Sequence, residues 1–232
     1  MVLDKPHIVV LSGAGVSADS GVETFRDADG LWAQHRIEDV CTPEALHRDP
    51  ALVLDFYNKR RRQLNEVEPN AGHLAIAELA RHFDVDVVTQ NVDDLHERAG
   101  SPTVLHLHGE LLKCRSMKNP DHIWPVSGDL HIGDLCPEGG QLRPHIVFFG
   151  ESVPEFEHAA RIVEKADMMI VVGTSLAVYP AASLTHYLPA EAPVYVVDPS
   201  PATVGRRGVT YLRDRSAVAM PRLVRQLIEE YS

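Results

Sequence analysis

Six short apolar runs punctuate the chain: HIVVL (7–11), DVDVVT (84–89), TVLHL (103–107), HIVFF (145–149), DMMIVV (167–172) and PVYVVD (193–198). They are rich in β-branched residues and mostly continuous rather than alternating, so as strands they need apolar cover on both faces. Helical patterns lie between several of them, at 155–166 and 181–188, and the amphipathic segment 219–231 closes the chain. Runs of this kind predict an α/β fold, a mostly parallel sheet with helices on both faces.

Two stretches break the rhythm. Residues 36–82 read as helices only, with Asp49-Pro50 supplying an N-cap and a first-turn proline. Residues 113–142 are irregular and rich in Pro, Gly and Asp. Both read as insertions that together form a smaller lobe beside the sheet. On the helix after Asp49, Val53, Phe56, Tyr57 and Leu64 form one apolar stripe, and Arg60 falls in the middle of it. Lys59, Arg61 and Arg62 face elsewhere and read as a solvated surface.

Composition narrows the function classes. At 232 residues, 44% hydrophobic and 24% charged, the chain can bury a substantial core, which excludes disordered and collagen-like classes. A net charge of −11 disfavours general nucleic-acid binding, because phosphate neutralisation needs a basic face. No run reaches membrane-spanning length, and the first apolar run flows into a glycine turn, so it reads as a core strand and not a signal peptide. Three cysteines without CxxC spacing point away from a disulfide framework and towards a reducing compartment, the cytoplasm.

The chemistry-bearing motifs sit behind strands. VVLSGAGVSADSG leaves the first strand for a helix through Gly13-Ala14-Gly15, with Ala18 at the third position of a dinucleotide fingerprint. Glycine admits a pyrophosphate to the backbone, and a helix N-terminus offers amide donors; the same turn can also be a tight connection without a ligand. An ordinary dehydrogenase would next show a strand ending in Asp or Glu about 20 residues on. The polar VETFRDADGLWAQH (22–35) stands there instead, which suits a loop covering a cofactor. TQNVDDLHERAG (89–100) puts Gln90, Asn91, Asp93 and Asp94 at a strand's carboxyl end, as ligands or as helix caps. In VLHLHGEL, His106 and His108 share a face if the strand continues that far, either as site residues or as satisfied core residues. VVGTSLAVYP (171–180) is a third strand end carrying small polar groups.

Taken in order, GAGVSADSGVETFRDADGLW, TQNVDDLHERAG, LHLHGEL, RPHIVFFGE and VVGTSLAVYP resemble the signature blocks of the sirtuin family, the NAD-dependent protein lysine deacylases. The resemblance implies a Rossmann-like NAD-binding domain (1–35, 83–112 and 143–232) and a small lobe made of a helical insertion (36–82) and a degenerate zinc-ribbon-like insertion (113–142). By the same resemblance Gly13, Ala14, Gly15, Ala18, Thr24, Phe25 and Arg26 line the NAD site. Gln90, Asn91 and Asp93 hold the nicotinamide ribose and carboxamide, while Gly173, Thr174 and Ser175 meet the phosphate and adenosine side, a cofactor-binding set that extends to Asp198 and Ala217. The catalytic set is His108, Asn91 and Asp93. Phe149, Gly150 and Val178 belong to two segments that clasp the substrate backbone as a strand. The implied reaction joins the acyl oxygen of a modified lysine to the ribose carbon bearing nicotinamide. His108 then takes a proton relayed from the ribose hydroxyls, so that free lysine and O-acyl-ADP-ribose result.

Tyr57 and Arg60 resemble the Tyr-x-x-Arg signature of the class III branch, which removes succinyl and malonyl groups as well as acetyl, and Ala28 matches the position that widens its pocket. A planar guanidinium and a phenol suit a distal carboxylate; the other reading packs the Arg60 stem and leaves its head in solvent. The family's zinc site departs most from pattern. Cys114 is followed at the matching place by Met117 and Cys136 by Gly139, so half the thiolates remain, with His122 and His131 as substitute ligands. Packing by Ile123, Trp124 and Leu130 is the alternative support. A mono-ADP-ribosyltransferase and a non-enzymatic NAD or ADP-ribose sensor remain as other functions.

Overall fold

The computed structural model describes residues 5–22 and 35–231. In chain order it contains β1 (His7–Ser12), α1 (Ile37–Val40), α2 (Pro43–Arg48), α3 (Pro50–Gln63), α4 (Ala71–His82), β2 (Asp84–Thr89), α5 (Leu95–Ala99), β3 (Val104–His106), β4 (Gly109–Ser116), β5 (Ile123–Pro125), β6 (Leu142–Ile146), α6 (Phe156–Val163), β7 (Met168–Val172), β8 (Val194–Val197), β9 (Val209–Leu212) and α7 (Ser216–Tyr231). Six strands form a parallel sheet in the order β3-β2-β1-β7-β8-β9. β4 pairs antiparallel with β5 and β6 in a second, three-stranded sheet. The architecture is a Rossmann-like α/β fold with a small antiparallel sheet.

Both faces of the large sheet are covered, which explains the unbroken apolar runs. Ile8, Val10, Val85, Val87 and Ile170 pack on one face against Ala75, Ile76 and Leu79 of α4 and Leu223 and Leu227 of α7. Val9, Leu11, Met169, Val171 and Val196 point the other way, onto Ala159, Ala160 and Val163 of α6 and onto Leu184. α4 lies within the 36–82 segment, yet its apolar face belongs to this sheet. α1 to α3 instead share a core with Leu111, Ile146 and Phe148 beside the second sheet.

Local signals set the helix starts. The Asp49 carboxylate accepts from Leu52 N at 3.0 Å with Pro50 in the first turn, and Thr42 caps α2 the same way at 3.1 Å ahead of Pro43. Three readings need correction. HIVFF is not a strand of the parallel sheet: β6 ends at Ile146, and Val147 N and Phe149 N turn to His108 O and Cys41 O, both at 2.9 Å. The apolar run is needed because Phe148 enters the core formed by α1 to α3, not because it sits in a large sheet. β4, β5 and β9 were not legible as strands, since β4 mixes charged and apolar residues and carries a bulge between Glu110 and Cys114. Finally, the 181–188 pattern forms a 3-10 helix, Ala181–His186, and not an α-helix.

The basic run on α3 also differs from expectation. Lys59 is exposed and pairs with Asp55 at 2.7 Å, and Arg62 pairs with Asp129. Arg61 is only 2% exposed. Its guanidinium donates to Leu111 O at 2.7 Å, Asn58 Oδ1 at 2.9 Å and Gly128 O at 3.2 Å, tying α3 to β4 and to the 128–130 loop. The buried Leu111 carbonyl, which needs a donor, and not the helical stripe, decides where this arginine goes.

Candidate active site

The strand register aligns the carboxyl ends of three central strands: Ser12 lies opposite both Thr89 and Val172. Connections diverge on either side of β1, so a crevice opens between the loops after β1 and β7, the switch point where open parallel sheets bind ligands. Gly15 N donates to Gly173 O at 2.8 Å, and Gly13 N to Val172 O at 3.1 Å. A Cβ on Gly13 would lie 2.7 Å from Thr174 Cβ, and one on Gly173, whose φ is +61°, only 2.2 Å from Val16 N. The glycines thus let two loops interlock as the cavity floor. The anticipated helix after Gly15 is replaced by two single-turn 3-10 segments, Ala14–Val16 and Ala18–Ser20. Gly15 N is held by the neighbouring loop, while Val16 N and Ser17 N close the first turn on Gly13 O at 3.0 Å and Ala14 O at 3.1 Å.

Behind β2 a buried polar chain sets the side chains. Ser17 Oγ donates to Asp93 Oδ2 at 3.0 Å and accepts from Asn91 Nδ2 at 3.0 Å. Asp93 Oδ1 accepts from Leu95 N at 3.2 Å, so this residue supports the start of α5 and faces the cavity as well. Burial raises the Asp93 carboxyl above its ordinary range, against the pull of the Leu95 and Ser17 hydrogen bonds. Gln90 Nε2 reaches Thr174 Oγ1 at 3.0 Å, joining the ends of β2 and β7.

The two histidines separate. β3 stops at His106, and a turn carries His108 to the cavity, so they do not share a strand face. His106 Nδ1 meets Asn91 O at 2.8 Å and its Nε2 meets Glu97 Oε1 at 2.7 Å. Both partners accept, so the imidazolium satisfies both contacts. Burial opposes that charge, but the Glu97 hydrogen bond and charge outweigh it and raise the His106 pKa. His108 Nδ1 lies 3.1 Å from Gln90 O, and since a carbonyl only accepts, Nδ1 carries the proton and Nε2 is left as a base. Burial lowers the His108 pKa and keeps the ring neutral.

These residues line one cavity of about 530 Å³. Gly13, Ala14, Gly15, Gln90, Asn91, Asp93, His108, Gly173, Thr174, Ser175 and Asp198 form part of its wall, together with Tyr57, Arg60, Phe149, Gly150 and Val178. Ala18 is exposed on the second 3-10 segment, and Ala217 lies at the start of α7; neither belongs to the wall. Thr24, Phe25, Arg26 and Ala28 lie outside the described residues. Phe149, Val178 and Tyr179 leave apolar surface exposed, with Tyr179 at 72%. Tyr57 is fully enclosed: its ring stacks on Phe148 at 5.6 Å and its hydroxyl donates to Cys41 Sγ at 3.1 Å.

The motif reading missed Ser17, Cys41 and Glu151. Glu151 receives Arg115 at 2.9 Å, Arg143 at 2.6 Å and Phe148 N at 2.7 Å, which fixes the loop at the cavity wall, and Arg143 covers the Phe148 ring at 3.9 Å. The FFGE block carried a signal for Glu151; nothing marked Cys41. The two remaining cysteines each have protein neighbours. Cys114 packs with Leu54 and Leu130, Cys136 donates to Ser116 Oγ at 3.3 Å, and His122 pairs with Glu138 at 3.0 Å. Among the described residues no three His, Cys, Asp or Glu side chains converge on one point.

Residues 13–180 match the model of the Sir2 family. The chain is 58% identical over 199 residues to an NAD-dependent protein deacylase of Aggregatibacter actinomycetemcomitans, covering 86% of this chain and 96% of that protein. It is 52% identical over 229 residues to an NAD-dependent protein deacylase of Bacteroides thetaiotaomicron, covering 96% and 98%. Among solved structures, a Sir2 homologue in complex with NAD superposes with a TM-score of 0.87 at 38% identity, covering 98% of this chain and 91% of that one.

Proposed function

The chain belongs to the Sir2 family and catalyses NAD-dependent protein deacylation, and within that activity we propose that it removes succinyl and malonyl groups from lysine as well as acetyl. The observation that carries this reading is the presence of Tyr57 and Arg60 in the wall of the cavity that also holds His108. Acetyl needs only apolar walls. A planar guanidinium can take a distal carboxylate with two parallel hydrogen bonds, and the adjacent phenol adds a third donor.

NAD supplies the ribose carbon to which the acyl oxygen becomes joined as nicotinamide leaves. Gly13 to Gly15 and Gly173 to Ser175 take its phosphate and adenosine side, with Asp198 as a hydrogen-bond acceptor at the same end. Gln90, Asn91 and Asp93 orient its nicotinamide ribose; a cavity lined by close-packed glycines and by three amide or carboxyl side chains supports that fit. His108 accepts the hydroxyl proton on Nε2, which the Gln90 contact leaves available. The substrate backbone lies as a strand between Phe149-Gly150 and Val178-Tyr179, whose exposed apolar side chains favour an extended peptide. The same reading places the protein in the cytoplasm, supported by three unpaired cysteines. It holds the 113–142 segment by packing and by the Arg61 contacts, without zinc. Among the described residues no helix is long and apolar enough to cross a membrane.

The test is nicotinamide release from one peptide carrying acetyl-lysine or succinyl-lysine, with the parent protein and Arg60→Met. Succinyl turnover in the parent, falling about 10- to 100-fold in the variant while acetyl turnover holds, is the expected outcome. If the parent removes acetyl alone, the carboxylate reading is wrong. In the same assay His108→Ala loses turnover by about 10²- to 10⁴-fold and keeps NAD binding. A variant with normal nicotinamide release but no lysine product would favour ADP-ribosyl transfer.

A further inference from the structure

The Tyr57 hydroxyl has one proton and already has an acceptor. Its O–H donates to Cys41 Sγ at 3.1 Å, and both side chains belong to the cavity wall beside Arg60. The ring cannot swing to redirect the hydroxyl. It is stacked on Phe148 at 5.6 Å, met edge-on by Phe56 at 5.1 Å, and 1% exposed. Only the O–H rotor is free to turn, so a carboxylate in the acyl pocket must compete with the sulfur for that proton. Cys41 is equally fixed: its N–H donates to Ile37 O at 2.8 Å, and its carbonyl accepts from Phe149 N at 2.9 Å, on the loop proposed to hold the peptide.

We propose that Cys41 is a positioning residue for acyl selectivity, its thiol holding the Tyr57 hydroxyl in a weak hydrogen bond that an acyl carboxylate displaces. The inference rests on the Tyr57 and Arg60 reading of the acyl group. Sulfur is a poor acceptor and a carboxylate a strong one, so the exchange favours a charged acyl group. Without such a group, the thiol keeps a buried hydroxyl from being left unpaired, which would cost more than a weak bond contributes. Burial holds the thiol in its neutral form, so it sets no negative charge against an incoming carboxylate. Acetyl offers no acceptor at that depth and leaves the hydroxyl on the sulfur.

The experiment measures the ratio of kcat/KM for succinyl to acetyl peptide within each protein, so that any loss of folded fraction cancels. Cys41→Ser puts a stronger oxygen acceptor beside the phenol and lowers the ratio by about three- to tenfold. Cys41→Ala removes the acceptor, leaves the hydroxyl waiting for the carboxylate, and raises the ratio by about threefold. In a Tyr57→Phe background the serine and cysteine proteins give the same ratio. Shifts of the same sign in both variants, no shift in either, or a serine effect that survives Tyr57→Phe would each overturn the inference. Loss specific to Cys41 is distinguishable from failure of the acyl reading: a parent protein that turns over acetyl and no succinyl sinks both, whereas succinyl turnover indifferent to Cys41 sinks this one alone.

Discussion

Single imidazoles in this protein are given different jobs by their partners. His108 is neutral, with its proton on the nitrogen facing Gln90 O; burial depresses its pKa below 6.5. The acid limb of kcat/KM is therefore expected below pH 6.5, and a limb well above that value would mean another group governs activity. His106 shows the opposite shift, and its pairing with Glu97 has a defined pH window. A raised His106 pKa gives stability that is full below the unfolded value of 6.5 and lost as pH rises through the folded value; a lowered Glu97 pKa gives stability that is present above 4.5 and lost as pH falls. Glu97→Gln should therefore lower Tm more at pH 6 than at pH 9, and equal losses would show the ring to be uncharged. His73, buried and pushed down to about 4, binds its proton only in the unfolded chain between that value and 6.5. Its contribution is full above 6.5 and falls by on the order of 3 kcal/mol on the way to pH 4; His73→Gln should flatten that slope in urea titrations.

Elements act mainly by placing their ends. Asp49 fixes where α3 begins, and α3 carries Tyr57 and Arg60 to the cavity. Asp49→Ala removes one cap, costs about 1 kcal/mol and lowers Tm by a few degrees, with the succinyl to acetyl ratio unchanged. A changed ratio would show that the cap also tunes the acyl wall. At the end of β7, Gly173 combines positive φ with contact against Val16. Gly173→Ala must part the two loops, so NAD affinity should fall before the sheet itself unfolds; isothermal titration with NAD alongside circular dichroism separates the two. Such strand ends were readable because small and polar residues directly after a buried run leave few other uses. The loop 147–151 was not, since its apolar side chains resemble a strand until β6 is seen to stop at Ile146.

Across the whole molecule, the helices α1 to α3 and the second sheet are joined by a buried guanidinium. Arg61 donates to two backbone carbonyls and Asn58, so Arg61→Ala removes the donor of the buried Leu111 carbonyl, breaks two further bonds and should cost about 3 kcal/mol. Lys59→Ala and Arg62→Ala should stay within about 0.5 kcal/mol. Similar losses for all three, read from chemical denaturation, would contradict the assignment of Arg61 as the tie. With that tie and no converging donors among the described residues, a chelator should leave Tm unchanged; a drop on adding EDTA would place a metal in the fold.

The amino-acid sequence alone determined the layered architecture and the strand ends that line the cavity, because apolar runs and the residues that follow them are local features. It also set the helix start at Asp49, where cap and proline act within one turn. Tertiary structure alone decided that Arg61 and not Lys59 or Arg62 is buried, that His106 braces Asn91 while His108 faces the cavity, and that the Tyr57 hydroxyl meets Cys41 sixteen residues away. Each of those outcomes depends on which carbonyl, carboxylate or thiol another part of the chain brings within about 3 Å, and hydrogen-bond partners brought together by folding leave no periodic trace in sequence.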